Sequence, residues 1–345
     1  MKRAVIVAKE QVELQEFPMP EINSRQVLVE VLACGLCTFE QRYYSGGKEQ
    51  YPFGGGHEVS GIVKAIGADV KADVTVGDKV VVACITRCGE CYFCQNGMDN
   101  MCAHGGDEAD PGALWGPGGL SEYLVAEGYQ VYRVDKDLDP NVATLAEPLA
   151  CVIRSFEKAN VSFGDTVLVT GAGVMGLLHV MVGRMLGLRV IVSEIDPLRS
   201  AKAKENGAFA VLDPRDEDFI SKIKDITHQL GVQSVLYTAG GQAAVAQSLK
   251  AVCKGGSVVL YGAIYPKTLM EIDPNAFHYD EIVLTGLVST TKETFMRSAN
   301  LLSDPDLALE ELISEVYPLS EIDEAFRRSL STDTYRVVVN MKKED

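Results

Sequence analysis

The hydrophobic pattern changes character part-way along the chain. Over the first 150 residues, short Val- and Ile-rich runs at 12–17, 26–32, 59–66 and 79–83 are separated by Gly, Pro, Asn and Asp. Such runs between turn formers predict strands. From about residue 152, strand-length runs alternate with helix-length segments. Strands are expected at 166–170, 189–194, 208–212, 234–238, 257–261 and 282–286. Helices are expected at 174–186 with Gly187 as its C-cap, from Pro197 in a first turn, at 216–229 and at 242–252. This alternation implies right-handed crossovers and a parallel, doubly wound sheet. Beyond Gly286 it fades. Residues 292–302 and 320–330 read as helices and 335–340 as a closing strand. The expected organisation is α/β: a β-rich domain from 1–150 and 287–345, and a doubly wound domain from 151–286.

Composition narrows the classes. The chain has 345 residues, 47% of them hydrophobic, which suits two domains rather than one core. A net charge of −16 weighs against nucleic acid or anionic membranes as partners. The most apolar stretch, 166–192, is interrupted by His179, Arg184, Arg189 and several glycines, so it does not read as a membrane span. The first residues carry no export-signal pattern, and cytoplasm is the expected location. Four of the nine cysteines crowd into 88–102, a spacing that reads as metal binding rather than disulfides.

The expected strand 166–170 runs into Gly171-Ala172-Gly173-Val174-Met175-Gly176. G-x-G-x-x-G alone is a weak signal; between a strand and a helix it is a dinucleotide-binding turn. The helix N-terminus then offers unpaired N–H groups to a pyrophosphate. Glu194, 23 residues beyond Gly171, is placed to accept hydrogen bonds from the adenosine ribose hydroxyls. It would repel the extra phosphate of NADP, so NAD is the expected cofactor. Arg199 either lies over the adenosine or sits on a solvated helix face. A structural turn without ligand is the plain alternative.

Cys88, Cys91, Cys94 and Cys102 form C-x2-C-x2-C-x7-C. Four thiolates close a tetrahedral Zn²⁺ site with no open position. The spacing departs from the bacterial iron–sulfur pattern, which has a three-residue last gap and a following proline. A closed site holds a loop and does not by itself predict an enzyme. A second candidate set is scattered: Cys37, His57, Glu58 and Glu147. Each alone has a plain reading as a core or surface residue, and spacing does not bring them together.

Several motifs occur together in one order. Cys37 follows Gly35-Leu36, then Gly56-His57-Glu58-x2-Gly61-x5-Gly67-x2-Val70, the four-cysteine lobe, Gly118-Gly119-Leu-Ser-Glu-Tyr, Glu147-Pro-Leu and the glycine turn. Over essentially its whole length the chain resembles the zinc-containing medium-chain alcohol dehydrogenases. Within them it is most similar to sorbitol, other polyol and threonine dehydrogenases, with Glu147 where classical alcohol dehydrogenases carry a cysteine. The resemblance implies a GroES-like catalytic domain and a Rossmann domain, two zinc ions per chain, NAD, a small-molecule substrate, and a homodimer or homotetramer. It implies a catalytic zinc bound by Cys37 and His57, with Glu147 or Glu58 completing the set, and Glu40 orienting the histidine. The implied reaction moves a hydride between NAD(H) and a secondary alcohol or ketone of a small polyol, sugar or amino alcohol, with zinc lowering the hydroxyl pKa.

One departure bears on the proton. Family members usually carry Ser or Thr two residues after the ligand cysteine; here that residue is Phe39. Thr38 is one residue early, and Arg42 stands where a relay histidine often lies. The proton is therefore expected to leave through a zinc-bound water and Glu58 or Glu147. Phe39 also keeps open an alternative, a zinc-dependent reductase of an aldehyde or activated double bond. A non-enzymatic nucleotide-binding protein is the third reading. Cys84 and Trp115 are candidates to line the substrate pocket, with a core role as the alternative.

Overall fold

A computed structural model describes residues 1–105 and 114–341. Two compact units divide the chain: Met1–Ala150 with Thr290–Asp345, and Cys151–Ser289. The division falls after Ser289 rather than after Gly286. The Leu287 N–H still bonds the Leu260 carbonyl at 3.4 Å, so the residues just past the last strand stay with the second unit.

The first unit is built on a seven-stranded sheet. Its spatial order is Ile313–Pro318, Arg336–Asn340, Gln26–Gly35, Glu58–Ile66, Lys79–Ala83 and Val131–Arg133, and Tyr123–Glu127 also pairs with Gln26–Gly35. Every pairing is antiparallel except the parallel one between Ile313–Pro318 and Arg336–Asn340. The hairpin Lys2–Ala8/Gln11–Glu16 stands beside it. Strand Gln26–Gly35 runs past the expected end at 32. Ala33, Cys34 and Gly35 have little strand preference of their own. They pair with Asn340, Val339 and Val338 on one side and with Ser60, Val59 and Glu58 on the other. Inside, Tyr43, Phe53, Val59, Val80, Phe326 and Val337 are buried in one apolar cluster.

The second unit is a six-stranded, all-parallel sheet. Its order is Ala210–Leu212, Arg189–Ser193, Thr166–Thr170, Val232–Tyr237, Val252–Leu260 and Val283–Gly286. Numbered along the chain this is 3-2-1-4-5-6, the doubly wound order of dinucleotide-binding sheets. Thr166–Thr170 is buried along its whole length, as a central parallel strand covered on both faces must be. Leu168, Ile191, Val235 and Val258 pack with Phe219 and Ile223 of the helix Phe219–Ile226. That helix is shorter than the expected 216–229, because His228 and Gln229 take φ of 52° and 69° and end it.

His179, on the helix Val174–Met185, is fully buried in this unit. Its Nδ1–H donates to the Met175 carbonyl at 2.7 Å, and its ring packs against Phe156 and Tyr261. A carbonyl only accepts, so the proton sits on Nδ1, and Nε2 has no hydrogen-bond partner among the described residues. Burial lowers the imidazole pKa to about 4, against the Met175 bond that raises it. Folding therefore favours the neutral ring. The stability this confers is full above the unfolded value near 6.5 and is lost as pH falls toward 4. Urea unfolding at pH 7 and pH 5 tests this on wild type and His179→Met. The wild type is expected to lose about 2 kcal/mol more than the variant over that interval. Equal losses would sink the assignment.

Candidate active site and metal centres

Strand Gln26–Gly35 delivers Cys37 to the N-cap of the short helix Thr38–Tyr44, in extended geometry. Glu40, one turn into that helix, is fully buried. Its Oε1 accepts the Gly56 N–H at 3.0 Å and lies 2.7 Å from His57 Nδ1. This bond fixes the imidazole and leaves Nε2 as the nitrogen open to a metal. Burial would raise the Glu40 pKa, but the His57 charge and hydrogen bond and the Gly56 N–H hold it below the usual value. Burial likewise opposes protonation of His57, and Glu40 and Cys37 override it.

Glu58 opens the strand Glu58–Ile66, opposite Gly35, and is fully buried. Arg336, at the start of the closing strand Arg336–Asn340, reaches it: Nη2 lies 2.9 Å from Glu58 Oε1, and both side chains are buried. Arg336 Nη1 also donates to the Leu36 carbonyl at 2.8 Å, one residue before Cys37. Burial pushes the Glu58 carboxyl up to about 7; Arg336 and His57 oppose this, and Glu147 and Glu40 add to it. Glu147 lies in the first turn of Ala146–Ala159 and is half-buried.

The donor atoms of Cys37, Glu40 and His57 lie within 4.8 Å of one another, and so do those of His57, Glu58 and Glu147. His57 is common to both groups. The scattered sequence candidates thus meet around one imidazole. A thiolate, an imidazole with its second nitrogen held by a carboxylate, and two further carboxylates form a donor set suited to Zn²⁺. Thr38 starts the helix and is exposed, and Cys84 is half-buried. Phe39 is half-buried with its ring edge-on to those of Tyr43, Phe53 and His57, at centroid distances of 5.3, 5.7 and 5.5 Å. An aromatic cluster fills the position where a relay hydroxyl was looked for.

The four-cysteine lobe also converges. The sulfurs of Cys88, Cys91, Cys94 and Cys102 lie within 4.8 Å of one another, with Cys88–Cys102 at 3.6 Å and Cys91–Cys102 at 4.0 Å. A tetrahedral Zn²⁺ with about 2.3 Å bonds to sulfur has S···S edges of about 3.8 Å, so this cradle fits. All nine cysteines are free thiols. Backbone N–H groups of Glu90 and Cys91 point at Cys88 Sγ, and that of Cys88 at Cys102 Sγ. Backbone hydrogen bonds hold the Cys91 and Cys102 thiols below their ordinary pKa, whereas burial pushes that of Cys94 up to about 12, so a bound metal would be what holds all four as thiolates. A buried ion pair, Arg87 Nε to Asp99 Oδ2 at 3.0 Å, ties the lobe together, and Arg87 Nη2 bonds the Thr290 carbonyl at 2.7 Å.

In the second unit the turn after Thr166–Thr170 has Gly171 at φ 86°, a conformation that favours glycine. Gly173 caps the helix Val174–Met185, so Val174 and Met175 supply its first N–H groups. At Gly176 a Cβ would sit 2.0 Å from the Gly171 carbonyl oxygen, so only glycine lets helix and turn approach this closely. Glu194 follows Arg189–Ser193. Its Oε2 accepts the Ala172 N–H at 2.7 Å, and its Oε1 accepts those of Ile195 and Asp196 at 2.7 and 2.8 Å. The carboxylate therefore clamps the glycine turn, a role beyond the one expected from sequence. Arg199 Nη1 reaches within 3.5 Å of where a Cβ on Gly173 would be, so its guanidinium lies over the turn.

Residues 23–136 match the alcohol dehydrogenase GroES-like domain, and residues 174–304 match the zinc-binding dehydrogenase domain. L-threonine 3-dehydrogenase of Pyrococcus horikoshii is 32% identical over 341 residues, 96% of this chain and 95% of that one. The chain belongs to the zinc-dependent medium-chain dehydrogenases. Sorbitol dehydrogenase of Bacillus subtilis is 28% identical over 336 residues, 96% of this chain and 94% of the other. Among solved structures, a zinc-binding dehydrogenase from Sinorhizobium meliloti bound to NADP superposes with a TM-score of 0.88 at 27% identity, over 99% of both chains. In this zinc-dependent dehydrogenase no helix of the described residues is long and apolar enough to cross a membrane. Sequence reasoning missed Arg336, Arg87 and Asp99. The one available signal for Arg336 was a lone Arg opening the otherwise apolar run Arg-Val-Val-Val.

Proposed function

We propose that the chain oxidises a secondary alcohol of a small polyol, sugar or amino alcohol, or reduces the matching ketone, with NAD(H). The convergence of Cys37, Glu58 and Glu147 on His57, whose other nitrogen Glu40 holds, carries this reading. Cys37 and His57 would hold a catalytic zinc, and the four-cysteine lobe a structural one. Arg336 engages Glu58, which favours Glu147 as the carboxylate donor and leaves Glu58 beside it as a proton acceptor. When bound, Zn²⁺ supplies Lewis-acid polarisation of the substrate oxygen and a nicotinamide supplies the hydride acceptor. Phe39 carries no proton, so the hydroxyl proton passes to the carboxylate pair. The relatives named for sorbitol and L-threonine support an alcohol substrate. Glu194 favours NAD, because a 2′-phosphate would meet its carboxylate.

Phe39 supports a second reading, reduction of an aldehyde or activated double bond. The test is metal analysis, expected to give two zinc ions per chain, with a panel of polyols, sugars and amino alcohols run with NAD and NADP in parallel. Absorbance of reduced nicotinamide is expected to rise with NAD and at least one alcohol. Turnover confined to enals or aldehydes would select the second reading, and faster turnover with NADP would overturn the cofactor assignment.

A further inference from the structure

Lys48 lies in the loop after Thr38–Tyr44, its backbone N–H bonded to the Arg42 carbonyl at 3.1 Å. Its ammonium stands over two aromatic faces, 5.3 Å from the centroid of Phe39 and 4.9 Å from that of Tyr43. The Tyr43 ring is fully buried and stacked on Phe53, with centroids 3.6 Å apart and planes nearly parallel. The side chain is solvent-exposed, and no carboxylate lies within ion-pair distance of Nζ among the described residues. What marks this cation is the pair of aromatic faces beneath it, one of them the Phe39 ring that also meets His57. The rings neutralise none of its charge; they orient it and leave its outer N–H groups able to donate.

The position of those rings gives the cation a use. Phe39 is flanked by the Lys48 ammonium on its face and by the His57 imidazole, whose centroid is 5.5 Å away and nearly perpendicular. Two ring-sized steps, 5.3 Å and 5.5 Å, thus separate this ammonium from the histidine around which the candidate metal donors gather. That span is comparable with the length of a short polyol chain. The residue that removes the relay hydroxyl is also the one on which the cation rests.

We propose that Lys48 is a specificity-determining residue that reads an anionic group, a phosphate monoester or a carboxylate, at the far end of the substrate from the reacting hydroxyl. This rests on the alcohol dehydrogenase reading above and narrows it to acidic sugar and polyol derivatives. A charge-assisted hydrogen bond of this kind favours the anion over its neutral counterpart by about tenfold or more.

The test measures binding apart from turnover. Trp115 is the chain's single tryptophan, and its Nε1–H donates at 3.2 Å to the Oη of Tyr43, the residue whose ring the Lys48 ammonium overlies. Its emission is titrated in zinc-loaded protein with glucitol, glucitol 6-phosphate and galactonate; the last two separate phosphate from carboxylate. At least one anion is expected to bind about tenfold or more tighter than glucitol. Raising salt should weaken the anion selectively. Lys48→Met should collapse the anion-to-neutral ratio toward one, and Lys48→Arg should retain it. No saturable change with either anion, a ratio near one in the wild type, or an unaltered ratio in Lys48→Met each overturns the proposal. Turnover is followed separately through nicotinamide absorbance. An anion that binds through Lys48 without being oxidised in any alcohol panel would count against the dehydrogenase reading and leave the Lys48 assignment standing.

Discussion

Arg336→Met is expected to destabilise the first unit by about 3–5 kcal/mol, the range for removing one partner of a buried ion pair. The substitution leaves Glu58 without its ion-pair partner, fully buried near Glu40 and Glu147 and with only His57 still opposing the rise of its pKa. Arg336 is the largest influence holding the Glu58 pKa down against burial, so its loss should drive that carboxyl further toward the protonated form. It also frees the Leu36 carbonyl and so loosens the turn that carries Cys37. Urea unfolding of wild type, Arg336→Met, Glu58→Gln and the double variant measures the coupling. The double variant should recover much of the loss, because no uncompensated charge then remains. A single variant within about 1 kcal/mol of wild type would mean that water already screens the pair.

The second large effect concerns the glycine turn. Gly176→Val is expected to weaken binding of reduced nicotinamide dinucleotide by about a hundredfold, since an overpacked contact costs a few kcal/mol. The clash is with backbone: the added Cβ would lie 2.0 Å from the Gly171 oxygen and 2.8 Å from its carbonyl carbon. No side-chain rotation relieves that. Gly173→Ala is the informative control. Its Cβ meets only the Arg199 guanidinium at 3.5 Å, so the fold should persist, and any loss of affinity reports the approach of the dinucleotide itself. Fluorescence titration with NADH, alongside thermal unfolding, separates the two. Unchanged affinity in Gly176→Val would remove the turn from the cofactor site.

The parts of the fold legible in the sequence are those whose causes are local. The glycine turn, the cysteine spacing and the apolar strands of the parallel sheet announce themselves because neighbours in sequence are neighbours in space. Helix Ala146–Ala159 was missed because Pro148 interrupts its pattern on paper. In a first turn, proline lacks only an N–H that would have had no helical partner. Residues 33–35 carry no strand signal in their small side chains; the pairing that makes them β comes from residues far along the chain. The site divides the same way. Cys37, His57, Glu58 and Glu147 were named by motif resemblance, but which acid is tied to a cation depends on Arg336, in a strand far downstream. Glu194 was read as a cofactor residue from its distance to Gly171. That it also clamps the Ala172 N–H follows from how two parallel strands end side by side, which spacing alone does not encode.

The strand Arg336–Asn340 has a consequence for the order of assembly during synthesis. It lies inside its sheet, between Ile313–Pro318 and Gln26–Gly35, although it is made after both. The second unit is one unbroken stretch, complete once Ser289 has left the ribosome. The first unit at that moment has an open slot beside Gln26–Gly35, with Glu58 waiting for its counter-charge. The doubly wound half is thus able to fold while the nascent chain is still growing. The half that gathers the thiolate, imidazole and carboxylates is finished only as the last strand slides in.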